Sequence, residues 1–274
     1  MKRIKNLLVI SLILIIIMSG ITAVVPPVCA ENGSLEEIVI DARTGEILFE
    51  KNADKKASIA SLTKILTAIT AIENCDVEKE ITVTSEMVGI EGSSVYLKEG
   101  EKLTIKELLY ALMMRSGNDA ATAIALSVSG SIKDFAVLMN KTAEKAGSKN
   151  SNFVNPHGLE ESDHYSTAKD VAYISAYALK NLLFSEIVGT KKKVIRNTVE
   201  GADRVLINKN KLLYKYDGAD GIKTGYTKVS GRCLASSATR NGVRLICVII
   251  NEADTYGRTA ALFDRCFEKY KLVA

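Results

Sequence analysis

Strand-like and helix-like patterns are segregated along this chain, and that segregation leaves few folds open. Residues 37–40 and 46–50, separated by the polar turn Asp41 to Gly45, read as a β-hairpin near the start. Residues 221–227, 232–238 and 243–251 read as strands near the end, the last two joined at Asn241-Gly242, a dipeptide suited to the positive φ angles of a two-residue turn. Helical patterns follow from Ser61 onward through the middle of the chain, and a closing helix is predicted over 259–270. Strands at both ends around a helical middle predict one antiparallel sheet built from the two ends of the chain. Helices would cover it and form a separate lobe, an α/β layered domain. There is no internal repeat, low-complexity segment or Pro/Gly/Ser-rich linker, and the length suits a single domain with an ample core.

Within the helical middle, Ser61 opens a stretch to Asn74 in which Leu62, Ile65, Leu66, Ile69 and Ile72 recur at helical spacing. Ser61 and Lys64, three apart, then share another face near the helix start. Thr104-Ile105-Lys106-Glu107 reads as a capping box before Leu108, Leu109, Leu112 and Met113, in a helix expected to stop near Gly117. Further helices are expected over 120–129 and from Ser131 towards Gly147.

The first thirty residues are read as a targeting segment: basic Lys2, Arg3 and Lys5, an apolar run from Leu7 to Met18, and Val28-Cys29-Ala30 before Glu31. The expected layout is a signal peptide at 1–30 and a catalytic domain at 31–274. The alternative is an uncleaved membrane anchor, since apolar character continues through Ile21 to Val25. Either way the remainder is expected outside the cytoplasm, at the outer membrane face, in the wall or secreted. Membrane association would arise only through that segment. Without it, 33 basic residues face 32 acidic ones, so the basicity belongs to the leader and no nucleic-acid surface is indicated. Cys75, Cys233, Cys247 and Cys266 are too sparse for a disulfide scaffold. A turn at Asn241-Gly242 would set Cys233 opposite Ile250 and Cys247 opposite Ser236, on opposite faces, so free thiols are expected.

Three short strings carry chemistry: Ser61-Leu62-Thr63-Lys64, Ser116-Gly117-Asn118 and Lys223-Thr224-Gly225. They supply a serine with a lysine one turn away, a second hydroxyl with an amide, and a lysine, hydroxyl and glycine on a predicted strand. Ser166-Thr167-Ala168-Lys169 and Ser148-Lys149-Asn150 match the first two patterns as decoys, the former read as a helix cap before Val171, Ile174 and Leu179. Lys-Thr-Gly occurs once. A serine hydroxyl needs a base, and Lys64 serves only if its neutral form is accessible, which burial and a second cation such as Lys223 favour. The N–H of Ser61 would donate to the developing oxyanion, and Gly225 would leave room for substrate backbone along the strand edge. His157 and His164 lie in turn-rich sequence, lack the one-turn spacing of a zinc helix and have no Gly-x-Ser-x-Gly partner, so a structural or substrate-loop role is expected. No metal or other cofactor is called for, and no phosphate-binding glycine loop occurs.

With Asn155-Pro156-His157-Gly158-Leu159 and Asp220-Gly221-Ile222 before Lys223, these strings resemble the serine-type D-Ala-D-Ala carboxypeptidases, the low-molecular-mass penicillin-binding proteins of peptidase family S11. The resemblance spans about residues 37–270 and implies a β-lactamase/transpeptidase-like fold. It also implies removal of the terminal D-alanine from peptidoglycan stem peptides, with β-lactams as acylating inhibitors and a place in wall biogenesis and remodelling. It assigns Ser61 as acyl-ester nucleophile, Lys64 as proton acceptor, Ser116 as proton relay and Asn118 as peptide binder. Lys223 and Thr224 would hold the carboxylate, Tyr226 would give the second oxyanion N–H, and Arg258 would stand near the carboxylate pocket. The family often has histidine where this chain has Tyr226, a change a backbone donor tolerates. Rival readings are an endopeptidase or a β-lactamase of the same fold, though no Glu-x-x-Leu-Asn loop lies between Asn118 and Lys223, and a non-catalytic penicillin sensor.

Overall fold

The computed structural model describes residues 34–199 and 201–271, so the expected leader lies outside the described residues. In chain order the elements are β1 (Glu36–Asp41), β2 (Ile47–Lys51), α1 (Thr63–Asn74), β3 (Glu80–Thr82), β4 (Lys102–Thr104), α2 (Ile105–Tyr110), α3 (Asn118–Ser129) and α4 (Ile132–Lys145). Then come α5 (Ala168–Ala178), α6 (Leu182–Gly189), β5 (Lys192–Ile195), β6 (Arg204–Ile207), α7 (Leu212–Lys215), β7 (Ala219–Thr227), β8 (Gly231–Arg240), β9 (Val243–Ile250) and α8 (Thr255–Lys271).

The two ends of the chain meet in one antiparallel sheet of order β2-β1-β9-β8-β7. Asn241 and Gly242 both have positive φ, 49° and 78°, and the register pairs Cys233 with Ile250 and Ser236 with Cys247, as the turn predicted. The two thiols therefore face different layers. Cys233 packs with Ile38, Ile250 and the helical lobe, whereas Cys247 packs with Val39, Phe263 and Cys266 under α8. Cys75, Cys233, Cys247 and Cys266 are all free. Helices on both faces explain the unbroken apolar run of β9, which alternation on a half-exposed strand would forbid.

Local rules fix the helix starts. Thr104 and Glu107 form the expected capping box, with Glu107 N donating to Thr104 Oγ1 at 3.2 Å and Thr104 N to Glu107 Oε2 at 2.9 Å. That helix does not run regularly to Gly117 as its pattern predicts: Ala111–Arg115 forms a wider π turn, after which Ser116 takes a left-handed conformation at φ 65°. Such turns insert a residue and re-aim the chain beyond them. Thr167, not Ser166, caps α5, accepting from Asp170 N at 3.0 Å.

The segment 155–164 wraps the turn that carries Ser61. Gly158 has φ 83°, and a Cβ there would lie 1.9 Å from the carbonyl oxygen of Ala60. Gly158→Ala therefore adds a left-handed strain to a backbone clash, and we expect it to lower stability by at least ~2 kcal/mol. The check is the urea unfolding midpoint at unchanged m-value; a loss below ~0.5 kcal/mol, the usual range for neutral surface changes, would contradict this packing.

Candidate active site

The nucleophile turn is tight and strained. Residues Ala60–Leu62 form a single 3₁₀ turn before α1, and Ala60 sits at φ 47°, a conformation that side chains other than glycine resist. Its carbonyl accepts from Thr63 Oγ1 at 2.9 Å, and Thr63 Oγ1 lies 2.9 Å from His164 Nε2. Because His164 Nδ1 accepts from Val154 N at 3.2 Å, its proton sits on Nε2, and that N–H donates to Thr63. Burial pushes His164 down to about 3 and His157 down to about 4, with Lys64 adding to both, so the two rings are neutral at ordinary pH.

One turn on, Lys64 is fully buried, and its Nζ lies 2.9 Å from Ser61 Oγ, 2.7 Å from Asn118 Oδ1 and 2.6 Å from the His157 carbonyl oxygen. Two of these partners can only accept, so they take two N–H bonds. In the neutral amine the remaining tetrahedral position, a lone pair, faces the serine hydroxyl. Burial drives the Lys64 pKa well below its ordinary value, helped by the Lys223 and then the Lys209 charge, while Asp119 opposes them. Burial and then Lys209 bring Lys223 down to about 7. Lys209 itself is lowered, by burial and then by Arg115.

Ser61 opens on a cleft of about 290 Å³ lined by Ser93, Ser116, Lys209, Thr224, Gly225, Tyr226, Arg232, Thr255 and Tyr256. The structure thus brings Ser61, Ser116, Thr224, Gly225 and Tyr226 to one wall-to-wall space, with Lys64 buried beneath. Lys223 is 2% exposed and donates to the Thr224 carbonyl at 2.8 Å. A larger hollow, about 430 Å³, lies at the far end of the sheet beside Arg43, Lys180 and Arg244 and contains none of the expected site residues.

Three expected positions carry different geometry. The Asn118 amide is 4% exposed, with Oδ1 on Lys64 and Nδ2 donating to Glu91 O at 2.5 Å, so it braces the lysine and the 91–97 loop. A Cβ at Gly225 would meet Ile59 O at 3.2 Å and Ser61 N at 3.3 Å, so its missing side chain admits the nucleophile turn. The Arg258 guanidinium is tied to β1: its Nε and Nη2 donate to the Glu37 carboxylate at 2.6 and 2.9 Å. Glu37 is fully buried on β1, and an unpaired buried carboxylate would be expensive, which holds the arginine there.

The decoys lie elsewhere. Ser148-Lys149-Asn150 folds around the buried Asp170, whose carboxylate accepts from Ser148 Oγ, Lys149 N and Asn150 N. Lys169, beside Ser166, pairs with Asp54 and Glu50. Sequence reasoning missed Asp119, which accepts from Ser94 Oγ and from the N–H groups of Val95, Leu97 and Ala120 to hold one cleft wall. Its only signal was its place directly after Ser-Gly-Asn. It also missed Lys209 and Arg232, cations in the cleft with no carboxylate partner among the described residues; no local spacing marks either one.

A family model described as D-alanyl-D-alanine carboxypeptidase, peptidase S11, matches residues 22–254. D-alanyl-D-alanine carboxypeptidase DacF of Bacillus subtilis is 35% identical over 244 residues, 85% of this chain and 62% of that protein. DacC of Escherichia coli is 33% identical, over 78% of this chain and 55% of that protein. The chain thus spans about six-tenths of the length of such curated relatives. Among solved structures, a serine-to-alanine mutant of the Streptomyces K15 DD-transpeptidase superposes with a TM-score of 0.81 at 30% identity, covering 85% of this chain and 97% of that one. A D-alanyl-D-alanine carboxypeptidase from Mycobacterium tuberculosis gives 0.81 at 27% identity, over 90% and 95%. The shared fold and a family match that takes in Ser61, Lys64, Ser116 and Lys223 place the chain in the S11 family of D-alanyl-D-alanine carboxypeptidases.

Proposed function

We propose that this chain is a serine-type D-Ala-D-Ala carboxypeptidase that removes the terminal D-alanine from peptidoglycan stem peptides outside the cytoplasmic membrane. The observation that carries the reading is the buried, depressed Lys64 amine 2.9 Å from Ser61 Oγ, its other two hydrogen-bonding directions taken by Asn118 and His157. As Ser61 Oγ bonds to the penultimate carbonyl carbon, its proton passes to Lys64 Nζ, and the Ser61 N–H with a β7-edge N–H, that of Tyr226, stabilises the oxyanion. Collapse breaks the C–N bond. The proton returns through the Ser116 hydroxyl to the leaving amine, and free D-alanine departs. Water then attacks the ester, giving up a proton to Lys64, and Ser61 takes one back. Charged Lys223 and the Thr224 hydroxyl hold the substrate's terminal carboxylate. Release of D-alanine from a diacyl-Lys-D-Ala-D-Ala peptide is the direct assay; a protein acylated by penicillin that frees no D-alanine would overturn the reading.

Among the described residues neither Ser61 nor Lys64 has a carboxylate hydrogen-bond partner, which supports slow hydrolysis of a bulky acyl group in place of β-lactamase turnover. A β-lactam should therefore form an adduct on the tryptic fragment containing Ser61 that lasts minutes or longer. Lys64→Ala should slow its formation by about 10²- to 10⁴-fold in a folded protein. Peptide mapping by mass spectrometry is the check; an adduct on Ser166, release within seconds, or a near-native rate in the variant would contradict it.

The carboxylate site has its own pH signature. Lys223 is charged below about 7 and neutral above, so kcat/KM for a D-Ala-D-Ala peptide should fall as pH rises through that value in the free enzyme. Amidating the peptide should cost ~10²-fold or more at low pH, because a donor-only site then meets another donor. Lys209→Ala should move the falling limb to higher pH by removing the charge that depresses Lys223. Equal rates on acid and amide, or a limb that stays in place, would remove Lys223 from the carboxylate site.

A further inference from the structure

The segment that wraps the nucleophile turn carries a side chain, Glu160, that the proposed chemistry does not use. Glu160 Oε1 accepts from Ser58 Oγ at 3.0 Å and from Thr227 Oγ1 at 2.5 Å. Ser58 stands three residues before the nucleophile, and Thr227 is the last residue of the edge strand β7, just beyond Tyr226. One carboxylate oxygen thus bridges the two walls between which a carbonyl must sit.

We propose that Glu160 is a positioning residue that sets the gap between the Ser61 turn and the edge of β7, and so the reach of the donors on both walls to a developing oxyanion. This rests on Ser61 being the nucleophile of the proposed reaction. Three features separate it from a bond that merely pins its own loop. Asn155 already fixes that loop from within: its Oδ1 accepts from Gly158 N at 2.8 Å and its Nδ2 donates to Leu159 O at 3.0 Å. On the strand side, Thr227 is locked into the following turn, its N–H on Ser230 Oγ at 3.0 Å and its Oγ1 accepting from Ser230 N at 2.9 Å, so a pull on its hydroxyl moves the strand end. The walls also touch where Gly225 passes Ser61, so a small shift there is felt at the nucleophile.

Glu160 has no cationic partner in the ion pairs among the described residues; it receives two hydroxyl donors. An amide oxygen can accept the same two bonds, so Glu160→Gln should keep the geometry and Glu160→Ala should lose it. Displacement of oriented groups by about 1 Å can cost ~10²-fold; for this exposed tie we expect a smaller shift and ~10-fold in Glu160→Ala.

The experiment measures the limiting rate of Ser61 acylation by a fluorescent penicillin, and its half-saturating concentration, in wild type, Glu160→Gln, Glu160→Ala, Thr227→Val and the double variant Glu160→Ala/Thr227→Val, with thermal midpoints alongside. Penicillin is the probe because acylation proceeds whether or not the natural reaction is D-alanine release, so failure of the activity reading shows in wild type with the peptide. The expected result is a ~10-fold slower limiting rate in Glu160→Ala and in Thr227→Val, little further loss in the double variant, a half-saturating concentration within about twofold of wild type, and recovery in Glu160→Gln. A wild-type rate in Glu160→Ala, equal losses in the Gln and Ala variants, additive losses, a loss confined to half-saturation, or a rate that merely follows the thermal midpoint would overturn the proposal.

Discussion

A lysine amine buried with no carboxylate among its hydrogen-bond partners in the described residues is the constraint around which this structure is arranged. Lys64 reaches its three partners in three separate segments: Ser61 on its own turn, Asn118 at the start of α3 and the His157 carbonyl in the wrapping loop. The lobe must therefore be assembled before the lysine is satisfied. Burial favours the neutral amine, and Lys223 on the edge strand and Lys209 beyond it add positive charge that favours it further. This arrangement opposes folding while it prepares the chemistry. Both lysines have folded pKa values below their unfolded ones, so the unfolded chain binds more protons. For Lys223 the penalty is absent above its ordinary 10.5, grows as pH falls, and is complete below about 7. Hydrogen bonds to Lys64 and an extensive core on both faces of the sheet offset it.

The strain near Ser61 arises from the same demand. Ala60 is held at positive φ between the Gly158 backbone on one side and Gly225 on the other, so two glycines from distant segments close on one turn. Asp119 performs the matching task on the opposite wall by collecting the donors of residues 94–97. The cleft is thus defined by buried acceptors and close backbone contacts, and its chemistry depends on packing well outside the reactive atoms.

Much of this is legible in the sequence because it rests on periodicity and turn chemistry. The two-ended sheet, the Asn241-Gly242 register and the Thr104 capping box come from local rules, and the Ser-x-x-Lys pair from the helical repeat. The features that escape have no local signature. The π turn before Ser116 arises from packing in a helix whose pattern is unbroken, and β5 of the β5–β6 hairpin opens on two lysines that hide its alternation. Lys209 and Arg232 become cleft residues only through the tertiary fold. Arg258 is paired with Glu37, a partner 221 residues distant that no spacing rule links to it. At Gly225 the space expected for substrate is filled by the nucleophile turn, a contact between segments far apart in the chain.

The protonation state of Lys64 in the resting protein is the most direct test of a lysine base. With lysine labelled at the side-chain carbon next to Nζ, the NMR shift of Lys64 can be followed against pH, assigned by its loss in Lys64→Arg. The expected midpoint lies well below 10.5 and rises when Lys223→Ala removes the neighbouring charge. A midpoint at or above 10.5 would contradict a neutral lysine as the base for Ser61, and one indifferent to Lys223 would remove that charge as a cause of the shift.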